Sequence, residues 1–573
     1  MKNKTRFPII LIGLTAMASQ IVYMRELLIV FYGNELSISF ILAGWLIAGA
    51  IGSGIFGRFA DRIRDKEAAF SSCQVALALL LPAGIVAARS IKSILHINAG
   101  EILPIFPIIA LSFLMLAPIC IIMGFMFSVA CRIYDVGDVY ILEAVGSMIG
   151  GAATGMVLIK FFNPIDITAF FAVLNIAAAL FLQKKRLWMI IMLALLFTAV
   201  LAWPLGLFNR LEEYSLKRQW QGYELVASRN SIYGNIAIAK RQEGFSLFDN
   251  GLHLYTIPYK MNAEESAHLA LLQHPDPRDV LLIGHGAGEL TEELLKEPVK
   301  RIDYVELDPA IVTMTENYLP ESYYKALEDS RVSIKNTDGR FFVKNTPDKY
   351  DCVIVRVGDP YTAQINRYYT VEFFDEVKRV LKEGGILSLA LGSSESYISA
   401  PLGELLSSIY LSLKDVFSAC LVIPGDTAYF IASDKSGYMT VDHNILEERV
   451  RERSLNARYV REYYLFSKLS PEKIAYMNRI LEDKKDARIN RDFRPSSYYY
   501  GLIFWTTLFK DSVFSSILRS IHERCVWQMT GALIILIAFA SIFFKRSFRR
   551  TALIAIAAGG FSTMAFKILL LLA

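Results

Sequence analysis

The chain has 573 residues, 54% of them hydrophobic, and a formal net charge of +5. Its mean hydropathy of +0.37 is high, and its apolar residues are gathered into long runs. Together these two features exclude a chain that is soluble throughout. The excess positive charge lies in short loops between these runs, so it does not indicate a nucleic-acid partner. The sequence therefore predicts a protein of the lipid bilayer that also carries a soluble part.

Seven apolar runs in the first part of the chain approach the length that a bilayer requires. They predict a seven-span transmembrane domain over residues 1–207. The first run holds Arg25 and Glu26 near its end and has no clear small-residue cleavage site, which favours a span over a cleaved signal peptide. The predicted spans are residues 7–31, 36–56, 68–88, 105–130, 139–161, 167–182 and 187–205.

Polar and small residues inside the spans are open to two interpretations. Charged side chains at bilayer depth are costly and often functional, but Arg25, Glu26 and Glu143 would also be accommodated by pairing within the bundle or by reaching the interface. Glycines recur in the second and fifth spans, where they favour close helix packing, although a moving helix pair in a transporter would show the same pattern. These are Gly49, Gly52, Gly54 and Gly57, and Gly146, Gly150, Gly151 and Gly155.

The basic loops predict the orientation in the membrane, because Lys and Arg are retained on the cytoplasmic side. Such residues precede the first span and follow the second, fourth and sixth spans. The amino terminus is thus predicted to be cytoplasmic, in the cell (inner) membrane, and seven spans place the soluble domain on the opposite face. A basic cluster after a further predicted span, residues 527–544, agrees with this orientation.

The soluble domain is predicted over residues 208–440. Residues 223–240 alternate as strands do, and residues 245–248 form a short strand before the turn at Asp249, Asn250 and Gly251. Residues 263–274 are amphipathic and predict a helix. These segments predict a small layer of β-hairpin ahead of an α/β core.

The core is organised around residues 280–309. An apolar strand at 280–283 is followed by Gly284, Gly286 and Gly288, a helix at 289–296, and a second apolar strand at 302–305 that ends on Glu306. Strand, glycine turn, helix, strand and acid form the layout of a nucleoside-binding unit. Glycines let the backbone approach a ligand closely, and the acid can accept hydrogen bonds from both ribose hydroxyls.

Four motifs in this order resemble the spermidine synthase (aminopropyltransferase) family: VELDP at 305–309, TDGRFFV at 337–343, YDCVIVRVGDP at 350–360 and RYYTVEFFDEVKRVLKEGG at 367–385. The resemblance covers residues 225–433, and it implies a Rossmann-like fold close to the class I methyltransferases. It also implies an adenosyl-sulfonium co-substrate, decarboxylated S-adenosylmethionine or S-adenosylmethionine, a polyamine ligand, and no prosthetic group.

The resemblance carries roles onto individual residues. It implies that Glu306 binds the ribose hydroxyls, and that Asp338, followed by Gly339, takes the adenine amino group. It implies catalytic roles near the amine for Asp359, the second aspartate of the family's D-x-x-D-P, and for Tyr369. A turn or helix-capping role for each acid remains the alternative.

Two departures from the family bear on activity. The glycine loop carries Ala287 where the family has an aspartate, and His285 at its second glycine. Arg356 stands where the family has the aspartate that deprotonates the attacking amine. An arginine stays charged and cannot act as a base. Together with Arg367 it suits an anionic ligand better than a polyamine; an ion pair with Asp359 or another acid is the alternative.

Residues 441–510 predict a charged helical and aromatic connector back to the membrane, and residues 511–573 predict two further spans, 527–544 and 552–573, as an incomplete second repeat. Six cysteines form no CxxC or Cys/His cluster, so no metal site is predicted. Two functions stay open: a membrane-bound aminopropyltransferase or a degenerate relative, and a non-catalytic transporter or sensor that uses the domain to bind a ligand. The sequence leaves homo-oligomerisation open.

Overall fold

The computed structural model describes residues 6–101, 103–435, 437–484 and 487–507, and a few positions between 516 and 539. The chain folds into two compact units. The first comprises Met1–Ala263, His285–Leu295 and Tyr304–Asp338, and the second comprises Glu264–Gly284, Lys296–Asp303 and Gly339–Ala573.

Long apolar helices make up most of the first unit. Six are long and apolar enough to cross a membrane by length and composition. They are α1 (Arg6–Phe31), α2 (Glu35–Arg62), α3 (Lys66–Ile94), α4 (Ile105–Ala130), α5 (Val136–Phe161) and α6 (Pro164–Leu182). Helices α7 (Arg186–Ala202) and α8 (Leu207–Gln219) follow as a pair bent by 74°, which raises the number to seven if the pair is one span.

The seventh predicted span, residues 187–205, is therefore wrong in its extent. The helix ends at Ala202 because Pro204 cannot continue it and Gly206 adopts a left-handed conformation, with φ at +67°. The polar helix α8 then starts in a new direction.

Glycines on α5 allow a close approach to α1. A Cβ atom at Gly146 would collide with the carbonyl oxygen of Ile10, and one at Gly150 would collide with that of Leu14. Gly52 on α2 meets the backbone of α4 in the same way. The predicted packing role is confirmed for these three glycines.

The charged residues Arg25 and Glu26 of α1 both have partners. Glu26 accepts hydrogen bonds from Nε and Nη2 of Arg89, at 2.6 and 3.1 Å, and both side chains are only 2% exposed. Arg25 donates through Nη2 to the carbonyl oxygens of Ser231 and Gly234, at 2.8 and 3.0 Å. Pairing within the bundle is thus confirmed for Glu26, whereas Arg25 binds the backbone of a β-turn.

The layer that follows is a four-stranded antiparallel meander rather than a small hairpin, because the segment after the Asp249 turn also pairs as a strand. Its core contains Phe248 and Ala237, packed with Trp220 at the end of α8. The strands are β1 (Glu224–Asn230), β2 (Asn235–Arg241), β3 (Gly244–Asp249) and β4 (Leu252–Ile257).

A second sheet has seven strands in the order β10-β11-β9-β8-β5-β6-β7. Strands β5, β8 and β9 are parallel, and β11 is antiparallel to β9. The buried apolar runs predicted at 280–283 and 302–305 are β5 and β6. The strands are β5 (Asp279–Ile283), β6 (Arg301–Glu306), β7 (Val332–Asn336), β8 (Tyr350–Val355), β9 (Leu381–Gly392), β10 (Ala419–Ile423) and β11 (Thr427–Ser433).

Helices alternate with these strands, as in a doubly wound fold. The helix predicted at 263–274 starts and ends three residues earlier in the structure, and the helix predicted at 289–296 ends one residue earlier in the structure. The helices are α9 (Lys260–Leu271), α10 (Glu289–Leu295), α11 (Pro309–Tyr318), α12 (Gly339–Asn345), α13 (Ala363–Asn366), α14 (Val371–Val380) and α15 (Ala400–Val416).

The charged connector is helical, as predicted, and an ion-pair network joins it to the core of the second unit. Arg340 binds both carboxylate oxygens of Glu376, at 2.8 and 2.9 Å, and both of Asp492, at 2.8 and 2.7 Å. The connector helices are α16 (His443–Glu452), α17 (Glu462–Lys468), α18 (Pro471–Asp483) and α19 (Ser496–Thr507). The predicted span 552–573 lies outside the described residues, as does most of 527–544.

Candidate nucleoside and amine sites

The glycine loop begins where β5 ends. Gly284 has φ at +75°, and a Cβ atom there would lie 2.9 Å from the carbonyl oxygen of Arg356. Both constraints exclude other residues. Strand β8, which carries Arg356 just after its end, pairs with β5. These two strands form the topological switch point of the sheet, where α/β proteins bind ligands.

Within the first unit, the rest of the loop is tied to the acid at the end of β6. The hydroxyl of Tyr304 accepts a hydrogen bond from the N–H of Ala287 at 3.2 Å and donates to Oε2 of Glu306 at 2.8 Å. Both Tyr304 and Glu306 are buried. The tyrosine therefore holds the glycine loop and the predicted ribose acid in one arrangement. Gly288 has φ at +106°, and the carbonyl oxygen of Gly286 accepts from the hydroxyl of Thr291.

Two more acids lie close to Glu306. Asp308 caps helix α11 through Ala310 N–H at 2.9 Å and also accepts a hydrogen bond from the Ser231 hydroxyl at 2.5 Å. Asp249 stands at the end of β3, and the carboxylates of Asp308 and Glu306 act on it electrostatically, as does the guanidinium of Arg25. The first unit thus gathers three carboxylates with one cation from α1.

Burial favours the protonated forms of Glu306 and Asp249. Burial raises the pKa of Glu306 to about 7, against the hydrogen bonds from Tyr304 and from the following backbone N–H groups. Burial also raises the pKa of Asp249 to about 7, helped by Asp308 and Glu306 and opposed by Arg25. A site whose acid ionises near neutral pH binds hydroxyl donors in a pH-dependent way.

The two residues predicted to lie at the adenine, Asp338 and Gly339, follow β7. Asp338 is half-buried, and Gly339 starts helix α12. In the second unit, a Cβ atom at Gly339 would lie 2.5 Å from the Cγ2 atom of Ile283 and 3.2 Å from the Tyr368 hydroxyl. Gly339 is therefore required by close packing against the end of β5.

In the second unit, Asp359 is held by its neighbours. Its Oδ1 accepts a hydrogen bond from Gly392 N–H at 2.9 Å, and the hydroxyl of Tyr361 also binds the carboxylate. Burial raises the pKa of Asp359, while these two donors and the charge of Arg356 act in the opposite direction. A Cβ atom at position 392 would lie 2.8 Å from Oδ2 of Asp359, so a larger residue there would require the carboxylate of Asp359 to shift.

Tyr369 is fully buried, and its hydroxyl donates to the carbonyl oxygen of Gly358 at 2.5 Å. Burial, followed by the charge of Asp359, raises its pKa, and Arg356 lowers it. This geometry gives Tyr369 a positioning role for the turn that carries Asp359.

Arg356 acts electrostatically on Asp359, Tyr369 and Tyr429. The carboxylate predicted to serve the amine therefore already has a cation beside it. The ion-pair alternative for Arg356 stays a prediction, and its charge makes Asp359 less suited to attract a second cation.

Several contacting residues are absent from the sequence prediction. Tyr304 has a recognisable signal, because it lies two residues before Glu306 on one strand and so shares its face. Asp249 stands at the turn that the sequence identifies, but without an assigned role. Tyr361 lies only two residues after Asp359, whereas Gly392 has no local signal, since its contact with Asp359 depends on how β9 pairs with β8.

The parallel strands, the glycine loop and the acid that ends β6 define a Rossmann-like α/β domain. The family model for the Spermine/spermidine synthase domain matches residues 260–416. The polyamine aminopropyltransferase of Pyrobaculum aerophilum is 39% identical over 136 residues, which are 23% of this chain and 47% of that protein. That of Pyrobaculum neutrophilum is 30% identical over 204 residues, which are 34% of this chain and 70% of that protein. The chain therefore belongs to the spermidine synthase (polyamine aminopropyltransferase) family.

Among solved structures, a spermidine synthase in complex with the transition state analogue AdoDATO aligns with 45% of this chain and 88% of its own, at 22% identity and a TM-score of 0.39. The spermidine synthase of Thermotoga maritima aligns over the same shares, at 21% identity and a TM-score of 0.37. The chain spans about half the length of the first curated relatives it matches, 47%, 58% and 46% of them.

Proposed function

We propose that this protein is a membrane-bound aminopropyltransferase-type protein that binds an adenosyl-sulfonium ligand such as decarboxylated S-adenosylmethionine. The observation that carries the proposal is the hydrogen-bonded pair of Tyr304 and Glu306 beneath the glycine loop. An ionised Glu306 accepts hydrogen bonds from the two ribose hydroxyls, and Asp338 accepts one from the adenine amino group. Such charge-assisted bonds contribute about 1.5–3 kcal/mol each.

The chemistry of the class is the displacement of a sulfonium. The nitrogen lone pair of an amine attacks the aminopropyl carbon bound to sulfur, the C–S bond breaks, and methylthioadenosine leaves with the bonding electrons. The amine must lose one proton before or during attack, because its ordinary pKa is about 10. Asp359 is the carboxylate available for this step, and Arg356 opposes it.

Calorimetric titration of the full-length protein in detergent tests the proposal, with decarboxylated S-adenosylmethionine, S-adenosylmethionine and methylthioadenosine as ligands. We expect saturable binding of at least the first and third. A protein that binds none of the three would overturn the adenosyl site. Release of methylthioadenosine with putrescine, measured on the same sample, separates binding from turnover.

Binding of methylthioadenosine is expected to strengthen about tenfold between pH 6 and pH 8. With a pKa of about 7, Glu306 is about one-tenth ionised at the lower pH and about nine-tenths at the higher. The stability of the fold should fall with rising pH, whereas ligand binding strengthens. The pKa of Glu306 is higher in the folded chain than in the unfolded one, so its contribution to the free energy of unfolding falls as the pH rises from the unfolded pKa to the folded pKa.

Titrations across this pH range in wild type and Glu306→Gln check the prediction. The variant has no carboxylate to ionise, so its weaker affinity should be flat with pH. An equally flat wild-type profile would contradict the role given to Glu306.

Contacts within the first unit bear on the side of the membrane that carries the meander. Arg25 and Ile29, near the carboxyl end of α1, lie against the β-turns at 231–234 and 249–251. Arg6, the first residue of α1, lies at the opposite end of the same helix. If this end is cytoplasmic, the meander lies on the other face.

The course of α6 and α7 supports seven crossings. Asn163, just before α6, and Glu212 on α8 line one cavity. Helix α6 leads away from this cavity over 19 residues, and α7 returns towards it over 17 residues. Helix α7 therefore crosses about the same thickness as α6, and we propose that it is the seventh span.

Cysteine labelling in intact cells checks this orientation. In a background without the native cysteines, Glu243→Cys at the exposed β2–β3 turn should react with an impermeant maleimide. Arg64→Cys, after the second span, should react only after lysis. The reverse pattern would show that the meander is cytoplasmic.

A further inference from the structure

A cavity of about 260 Å³ lies in the first unit, away from the glycine loop. The residues that line it come from the ends of α1, α3 and α5, from α8, and from the first two strands of the meander. Helix α5 is long and apolar enough to cross a membrane. In the membrane arrangement proposed above, its end and this cavity therefore lie at the level of the lipid headgroups.

Two basic side chains in the lining, Lys160 and Arg229, form no ion pair within the part of the chain that the structure describes. The third cation of the lining, Arg89, is already bound to the two carboxylates there. Its Nε and Nη2 donate to Glu26 at 2.6 and 3.1 Å, and its Nη1 lies 2.8 Å from Glu212. Three cations against two carboxylates give the lining a net charge of +1. The cavity therefore favours an anion beside Lys160 and Arg229.

Amide groups in the lining add hydrogen-bond donors. Nε2 of Gln219 has no partner among the described residues, although only 5% of this residue is exposed. A buried donor without an acceptor is unfavourable, because it has lost its hydrogen bond to water. Asn230 accepts a hydrogen bond from Asn235 through its Oδ1 at 2.9 Å, which leaves its Nδ2 as a donor. An anion with several oxygens would accept from these amides as well as from the two cations.

An exposed apolar surface continues from the cavity along α5. Phe161 and Phe162 line the cavity, and 70% and 48% of them are exposed. Met156 and Val157, one turn earlier on the helix, are also exposed. Apolar surface of this kind is costly in water and is covered by lipid chains in a bilayer. A volume of about 260 Å³ is several times the roughly 30 Å³ that one water molecule occupies, so the cavity has room for more than a bare ion.

We propose that this cavity binds the phosphate group of an anionic phospholipid, with its oxygens held by Lys160 and Arg229 and its acyl chains along the exposed face of α5. Lysine and arginine are the usual cations of phosphate sites, and basic side chains near a bilayer surface attract anionic lipids. The site rests on the membrane part of the function proposed above. It uses none of the residues assigned to the adenosyl ligand.

Native mass spectrometry of the full-length protein tests the site, with the protein released from a neutral detergent that contains increasing dioctanoyl phosphatidylglycerol and no adenosyl ligand. We expect one lipid to bind saturably, at least about tenfold more tightly than dioctanoyl phosphatidylcholine, because the two basic side chains repel the added choline cation. Lys160→Gln and Arg229→Gln should each weaken the binding of phosphatidylglycerol at least about threefold, and the double variant at least about tenfold, since each removes one cation near the bilayer surface.

Arg241→Gln is the matched control, because Arg241 is an exposed arginine on the neighbouring strand β2, five residues beyond the Ile236 that pairs with Arg229. It should bind as wild type does, and thermal unfolding shows whether each variant is folded. Equal affinity of wild type and the double variant would overturn the proposal, as would equal binding of the two lipids. Displacement of phosphatidylglycerol by an equal concentration of inorganic phosphate would also overturn it, in favour of a site for free phosphate.

Discussion

Replacement of Arg356 by aspartate is expected to raise the release of methylthioadenosine from decarboxylated S-adenosylmethionine with putrescine by about a thousandfold. Two unit charges about 4 Å apart, at an effective dielectric constant of about 20, interact with about 4 kcal/mol. Removal of a repulsion of that size corresponds to roughly a thousandfold in rate or binding. The new carboxylate would add an attraction of similar size and could accept the proton of the amine.

The structure sharpens this expectation, because Arg356 also acts on Asp359. In the wild-type protein the cation partly neutralises the one carboxylate that remains of the family's pair. The substitution restores both carboxylates and frees Asp359 from its cationic neighbour. Full activity is not expected, since Ala287 still lacks the glycine-loop carboxylate.

Arg356→Gln is the control that separates charge from base chemistry. It removes the repulsion without supplying a carboxylate, so its gain should be clearly smaller than that of Arg356→Asp. Equal gains would show that position 356 does not hold a base. A wild-type turnover of about 1 per second or faster, which is ordinary for enzymes, would show that Arg356 lies outside the reacting centre.

Glu306→Ala is expected to weaken binding of decarboxylated S-adenosylmethionine by at least about a hundredfold, and Asp338→Ala by at least about tenfold. Glu306 accepts two ribose hydroxyls in the proposed complex and Asp338 accepts one amino group, and hydrogen bonds to charged groups contribute about 1.5–3 kcal/mol each. Loss of Glu306 also leaves the buried hydroxyl of Tyr304 without its acceptor, which loosens the contact with the glycine loop.

Calorimetry on the full-length variants measures the effect, with the unfolding temperature as a check on folding. Glu316→Ala is a matched control, because Glu316 is an exposed acid on the helix that follows β6. It should bind as wild type does. Unchanged affinity in both Glu306→Ala and Asp338→Ala would remove the nucleoside site from these strand ends.

Short-range patterns in the sequence identify the α/β core. The apolar strand that leads into Gly284 and the acid that ends the next strand are recognisable because their causes are local. The apolar pattern of a strand and the preference of glycine for positive φ each involve only a few consecutive residues. The family motifs then select spermidine synthase among nucleoside-binding folds, and the comparisons confirm this. The long apolar runs similarly reveal the candidate spans, because a bilayer sets a minimum length.

The partners of individual side chains were decided by tertiary structure alone. Glu26 and Arg89 are 63 residues apart in sequence, and their ion pair exists only because α1 and α3 pack side by side. Tyr304 joins Ala287 to Glu306, and Arg25 reaches a turn more than 200 residues away. A charged residue in an apolar run indicates that its burial is costly, but it does not identify the distant group that pairs with it. Helix and strand periodicity determines on which face of an element a residue lies, and not which element packs against that face.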